Sequence, residues 1–232
     1  MIEVGAIIVV AIVILLVVLV GGSPGPGATS APSTFSQAAG EARAVAASVS
    51  GGPWNLSSAY GVSVTVPFVL NNTLLPLGCN VTSGNFGVDS YPSGSGAYSD
   101  GRATVWILSF VSTGVGGGML WVQVVNGAAT ELGVTNNSGR CATGGVSGLG
   151  PVIDSSVAME KILATPNGTR FAQTFSKANA TYSIGYGPNP TWIISLNGCG
   201  RYVAGPGTLL ASVWALNGTI QNAPREPATI AC

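Results

Sequence analysis

The fold prediction depends on two strand-like stretches, Trp106-Ile107-Leu108-Ser109-Phe110 and Trp192-Ile193-Ile194-Ser195-Leu196. Both are apolar and rich in the aromatic and β-branched side chains that favour β-strands. Each is followed by a glycine-rich stretch and a second Trp-bearing apolar run, and then by an Asn-Gly pair, Asn126-Gly127 or Asn217-Gly218. This shared order predicts two diverged internal repeats.

A helix-like segment begins each half. The apolar residues of Phe35–Val49 recur at helical spacing, and Gly51-Gly52-Pro53 ends the pattern. In the second half, Asp154–Leu163 is helical in pattern, with Asp154 or Ser155 as its N-cap. After the break at Pro166-Asn167-Gly168, Arg170–Ala178 is predicted to resume the helix. The strand candidates are Trp54–Leu70 as a hairpin around Gly61, Thr104–Ser112, Met119–Val125, Thr181–Tyr186, Thr191–Leu196 and Leu209–Leu216.

These elements predict an α+β fold. An N-terminal transmembrane helix would be followed by two diverged repeats, at residues 34–150 and 151–232, each a helix plus a three- to four-stranded antiparallel sheet.

The order of helix and Trp-bearing strands resembles PepSY-type modules. The stretches that carry the resemblance are Pro190–Leu196 and Val213–Ile220, and the acidic residue usual before the turn glycine of that family is missing here. The resemblance implies an extracytoplasmic binding or peptidase-regulating module that is not an enzyme.

The N-terminus predicts a membrane anchor. Val4–Val20 contains no charged residue and, with the residues before it, approaches the length needed to span a bilayer. We interpret residues 1–20 as an uncleaved, single-pass signal anchor and the Gly/Pro/Ser-rich residues 21–33 as a linker. Cleavage within Ala28–Ala31 is the alternative.

An excess of N-glycosylation sequons places the remainder of the chain outside the cell, where such acceptors lie on surface loops. The low charge and many sequons resemble the composition of archaeal glycosylated surface proteins. The seven sequons begin at Asn55, Asn71, Asn80, Asn136, Asn167, Asn179 and Asn217.

Four cysteines, none in a CxxC motif, are consistent with two disulfides in an exported chain. If each half folds alone, the pairs are Cys79–Cys141 and Cys199–Cys232. Pairing of Cys141 with Cys232, or free buried thiols, are the alternatives.

Composition argues against several activities. Charged residues make up only 7% of the 232 residues, the formal net charge is zero and histidine is absent, whereas an ordinary soluble domain has roughly 25% charged residues. Nucleic-acid binding through a basic patch and catalysis by a histidine base are therefore not expected. Asp89 and Asp100, which flank a Gly/Ser/Tyr loop, are a weak Ca²⁺ candidate, and Lys161 and Lys177 lack a preceding SxxK motif. We predict no enzyme, no metal site and no cofactor.

The sequence as a whole predicts a membrane-anchored, extracytoplasmic, glycosylated surface module that binds an unknown surface protein or ligand. The alternative is a structural subunit of a surface layer or pilus-like filament, in which the chain self-assembles through its apolar N-terminus.

Overall fold

The fold is taken from a computed structural model of the chain. It describes residues 31–62, 100–112, 118–136, 148–175, 178–185, 189–198 and 207–222.

The described residues form eight strands and three short helices in one compact unit. The helices are α1 (Phe35–Ser48), α2 (Ser155–Leu163) and α3 (Pro166–Thr174). The strands are β1 (Trp54–Val62), β2 (Val105–Ser112), β3 (Gly118–Val125), β4 (Ala128–Asn136), β5 (Asn179–Ile184), β6 (Thr191–Asn197), β7 (Thr208–Trp214) and β8 (Ile220–Asn222).

All eight strands belong to a single antiparallel sheet in the order β4-β3-β2-β1-β5-β6-β7-β8. Each half of the chain supplies four neighbouring strands, and β1 pairs with β5 at the centre from Ala59 opposite Ile184 to Val62 opposite Thr181. The prediction of two separate repeats, each with its own sheet, is therefore wrong. Separate sheets would leave the backbone groups of β1 and β5 on open edges, whereas their pairing satisfies both.

The predicted transmembrane helix at residues 1–20 lies outside the described residues. Among the helices that the structure describes, none is long and apolar enough to cross a membrane.

Several predicted elements are confirmed by the structure. The helices at Phe35 and Asp154 form, and Asp154 is the N-cap of α2. The strands β2, β3, β5, β6 and β7 lie within a few residues of their predicted limits.

The Asn-Gly pair at Asn126-Gly127 makes the tight turn of the β3–β4 hairpin. Both residues have positive φ, 49° and 81°, as a two-residue turn of type I′ requires. The strand that follows, β4, was not predicted, because its Ala, Glu and Gly residues have low strand propensity.

Pro166 begins a helix, although the sequence predicted that it would break one. Thr165 is the N-cap of α3, and its side chain accepts a hydrogen bond from the backbone N–H of Gly168. Proline is tolerated in the first turn because the N–H it lacks would have no intrahelical acceptor there.

The three helices cover one face of the sheet, called here the inner face. At its centre, Phe35 packs edge-on against two buried tryptophans, with ring centroids 5.9 Å from Trp106 and 5.1 Å from Trp192. The indole N–H of Trp106 donates to the carbonyl of Ser33, and that of Trp192 donates to the carbonyl of Ile153. Each acceptor lies just before the N-cap of a helix, so the two tryptophans of the sheet position the starts of α1 and α2.

Asp154 and Ser155 join the N-termini of the same two helices. The Asp154 carboxylate accepts from the backbone N–H groups of Ser155 and Ser36, at 2.9 and 2.8 Å. The Ser155 hydroxyl accepts from the backbone N–H of Phe35 and donates to the carbonyl of Gly101. Groups that would otherwise be unpaired at two helix starts are thus satisfied by neighbouring side chains.

Gly61 lies inside β1 and makes no hairpin turn, contrary to the prediction for Trp54–Leu70; residues 63–70 lie outside the described residues. An added Cβ at Gly61 would lie 2.6 Å from Cζ3 of Trp106. The glycine is therefore required for the close approach of the indole to the strand.

Substitution of Gly61 tests this close approach. We expect Gly61→Ala to lower the free energy of unfolding by at least about 2 kcal/mol, because the buried Trp106 ring must move. The measurement is chemical denaturation followed by tryptophan fluorescence. Gly40→Ala, on α1 with nothing near its added Cβ, is the control and should stabilise by about 0.5–1 kcal/mol. Equal effects of the two substitutions would contradict the packing described.

Substitution of Asp154 tests the junction of the two helices. We expect Asp154→Ala to cost about 2 kcal/mol of unfolding free energy, since N–H groups from both helices lose a charged acceptor. Glu41→Ala removes the same charge from an exposed position of α1 and should change stability by less than about 0.5 kcal/mol. A loss for Asp154→Ala as small as that of Glu41→Ala would show that the junction contributes little.

Candidate binding face

The face of the sheet opposite the helices, called here the outer face, differs between the two halves. On β1, β2 and β3 it is buried at Val62, Val105, Ile107 and Trp121, which form a second hydrophobic cluster. On β6 and β7 it exposes three large apolar side chains: Ile193 (50% exposed), Leu210 (52%) and Trp214 (36%). Solvent therefore reaches a contiguous apolar area on one half of this face.

The register of the strands shows how these side chains are arranged. Ile193 lies opposite Ser212, Thr191 opposite Trp214, and Ser195 opposite Leu210. Each large apolar residue thus faces a small hydroxyl residue across the β6–β7 pair. No charged residue lies on this part of β6 or β7.

A shallow groove of about 320 Å³ crosses the outer face near the centre of the sheet. Its lining includes hydroxyl side chains from three strands, at Ser58, Tyr60, Ser183 and Thr191. The register places Tyr60 opposite Ser183 and Ser183 opposite Ile193, so a continuous row of side chains runs across β1, β5 and β6.

Apolar side chains complete the lining at Ile107, Trp121 and Ile193. Trp121 is 8% exposed, and its indole nitrogen is buried with no hydrogen-bond acceptor among the described residues. An unpaired buried N–H costs free energy unless an acceptor is supplied. The indole N–H of Trp121 is therefore a hydrogen-bond donor that no group in the described part of the fold satisfies.

A second, smaller cleft of about 200 Å³ lies beside α1, with Ser36, Arg43 and Leu149 in its lining. Among the described lining residues, Arg43 is the one charged residue of this cleft, and those of the groove on the outer face include none.

The buried hydroxyl of Tyr182 lies in the inner-face core and is unsuited to acid–base chemistry near neutral pH. Burial raises the pKa of Tyr182 well above its usual value, and the charge of Asp100 acts in the same direction. The folded-state pKa of Tyr182 thus lies above its unfolded value of about 10. The protein therefore keeps its full free energy of unfolding below about pH 10 and loses part of it as the pH rises above that value.

Few of the other candidate residues lie in the part of the chain that the structure describes. Asp100 pairs with Arg102 at 3.5 Å on the surface, while Asp89, Lys177 and all four cysteines lie outside the described residues. Within the described ranges, no group of three acidic, cysteine or histidine side chains could hold a metal ion.

The described sequons differ in accessibility. Asn55 and Asn217 are exposed, Asn167 is half-buried in α3, and Asn179 is 3% exposed. The Asn217 side-chain oxygen accepts from the backbone N–H of Thr219. This hydrogen bond does not involve the amide nitrogen, which is the atom that would carry a glycan. Asn136 ends β4, and Asn71 and Asn80 lie outside the described residues.

Comparison of the chain with protein-family models, curated protein sequences and solved structures finds no match. The assignment of a site therefore rests on the geometry of the chain itself.

Sequence reasoning missed the groove, although a signal for it was present. Thr181 and Ser183 are two residues apart on β5. On β6, Thr191, Ile193 and Ser195 follow one another at the same spacing. Because side chains two apart in a strand share a face, this spacing indicates a hydroxyl-rich surface.

The accessibility of the sequons predicts which of them carry glycans. In the native protein we expect occupancy at Asn55 and Asn217 and none at Asn179, because a buried strand position has no room for a sugar. Glycopeptide mass spectrometry measures all three. Asn217→Gln should remove one glycan and Asn179→Gln none; a glycan at Asn179 in folded protein would contradict the placement of β5.

Proposed function

We propose that the chain is a membrane-anchored, extracytoplasmic and glycosylated surface module that binds a protein or ligand through the outer face of β5, β6 and β7, without catalysis. The observation that carries this proposal is the exposure of Ile193, Leu210 and Trp214 on one uncharged face. Contiguous exposed apolar side chains on a folded protein commonly mark an interaction site.

The chemistry of the face supports binding. Side chains on a regular sheet are held at fixed spacings by backbone hydrogen bonds, so the face is preorganised and loses little freedom on contact. Aromatic side chains such as Trp214 are enriched in interfaces. The anchor, the linker and the sequons predicted from sequence would present such a face outside the membrane.

The alternative function is a structural subunit of a surface layer or pilus-like filament. The same exposed side chains favour it, since they are equally suited to contact a second copy of the chain. In that case the outer face and the apolar segment Val4–Val20 would both be buried between subunits.

The proposal is tested on the full-length chain expressed in membranes. We expect it to sediment with membranes, to carry glycan mass, to be accessible to protease from outside the cell, and to form dispersed particles in detergent by negative-stain microscopy. Recovery of unglycosylated chain in the soluble fraction would overturn the proposal.

Ordered filaments or sheets would instead support the alternative, and matched variants then locate the contact. Leu210→Lys places a charge on the outer face, and Val157→Lys places one on α2, where the side chain is 38% exposed. Loss of assembly with Leu210→Lys alone would assign subunit contacts to the outer face.

A further inference from the structure

We propose that the groove on the outer face is a binding site for a neutral saccharide. This inference rests on the proposed function and names the ligand class for the same face. The groove takes part of its lining from Ser58 and Tyr60 of β1, Ser183 of β5, and Thr191 and Ile193 of β6.

The lining selects against charged ligands. Among the residues that the structure describes, no acidic or basic side chain borders the groove, so an anion or cation would lose its hydration without gaining a countercharge from them. A ligand with many hydroxyl groups and no net charge meets no such penalty. Among common biological ligands, sugars have this chemistry.

The hydroxyl groups of the groove are suited to sugar hydroxyls, because each can both donate and accept. The Thr191 hydroxyl lies 3.1 Å from the carbonyl oxygen of Asn189 and 3.3 Å from Oε1 of Gln221, and it can donate its one proton to either. Its oxygen can accept from a ligand. Ser58 bonds Ser109 at 2.6 Å, so this part of the floor is held in place before a ligand arrives. Fixed polar groups favour specific binding.

Trp121 and Ile193 add an apolar part to the lining. Sugars present apolar C–H faces together with hydroxyls, so a lining of this mixed character suits them.

The size of the groove suits a short carbohydrate. About 320 Å³ lies at the lower end of small-molecule sites, which span roughly 300–1,000 Å³. The groove is open on its solvent side and borders β6, where Thr191 lies opposite the partly exposed Trp214 of β7. A longer saccharide could therefore continue from the groove onto the Trp214 ring.

The test uses the full-length chain in detergent and neutral tetrasaccharides of glucose, mannose, galactose and N-acetylglucosamine. Binding is followed by isothermal calorimetry and by tryptophan fluorescence. We expect at least one of the four to bind saturably, with a Kd between about 10 μM and 1 mM, as weak, preorganised polar sites give.

Matched variants locate the bound sugar. Ile193→Lys fills the groove with a long charged side chain and should weaken binding at least tenfold. Val157→Lys is the control, because Val157 is exposed (38%) on α2, outside the outer face, and does not line the groove; it should change Kd less than twofold. Both side chains point to solvent, so thermal unfolding should show similar stability.

Three results would overturn the saccharide inference: no binding of any of the four sugars up to about 10 mM, binding unaffected by Ile193→Lys, or equal loss with Val157→Lys. The proposed function fails on a different result, recovery of the chain as unglycosylated soluble protein. If the chain is membrane-bound and glycosylated but binds none of the four sugars, the saccharide proposal is wrong and the proposed function as a surface module is unaffected.

Discussion

The contact on which the rest of the structure depends is the packing of Phe35 between Trp106 and Trp192. Both indoles are fully buried, so each N–H needs an acceptor inside the protein. The carbonyls of Ser33 and Ile153 provide these acceptors, immediately before the two helices that cover the inner face. Strands from both halves of the chain and the starts of two helices are therefore held by one aromatic cluster.

This cluster also explains why the outer face of the second half is available for binding. All three helices pack on the inner face, and the buried residues of the second hydrophobic cluster belong to β1, β2 and β3. On β6 and β7 the outward-pointing side chains of Ile193, Leu210 and Trp214 are accessible.

Local patterns predicted the elements whose signals lie within a few residues. Helical spacing in Phe35–Val49 and strand propensity around Trp106 and Trp192 produced elements close to those observed. Gly61 and Pro166 were misinterpreted, because glycine signals a turn and proline a break only when nothing else determines the backbone. At Gly61 the determining contact is the Trp106 ring, which is distant in sequence, and at Pro166 it is the cap formed by Thr165. The spacing of hydroxyl residues along β5 and β6 could be recognised in the sequence. The pairing that brings β1 beside them could not.

The sequence by itself determined the first two helices, five of the eight strands, the near absence of charge and the two matched tryptophan-bearing strands. These follow from propensity and periodicity, which act over short distances along the chain. Only the tertiary structure decided that β1 and β5 pair to make one sheet, that the tryptophans meet, and that Ser58, Ser183 and Thr191 line one groove. Such contacts join residues far apart in the chain, and burial together with the need to satisfy every buried backbone and indole group selects among them.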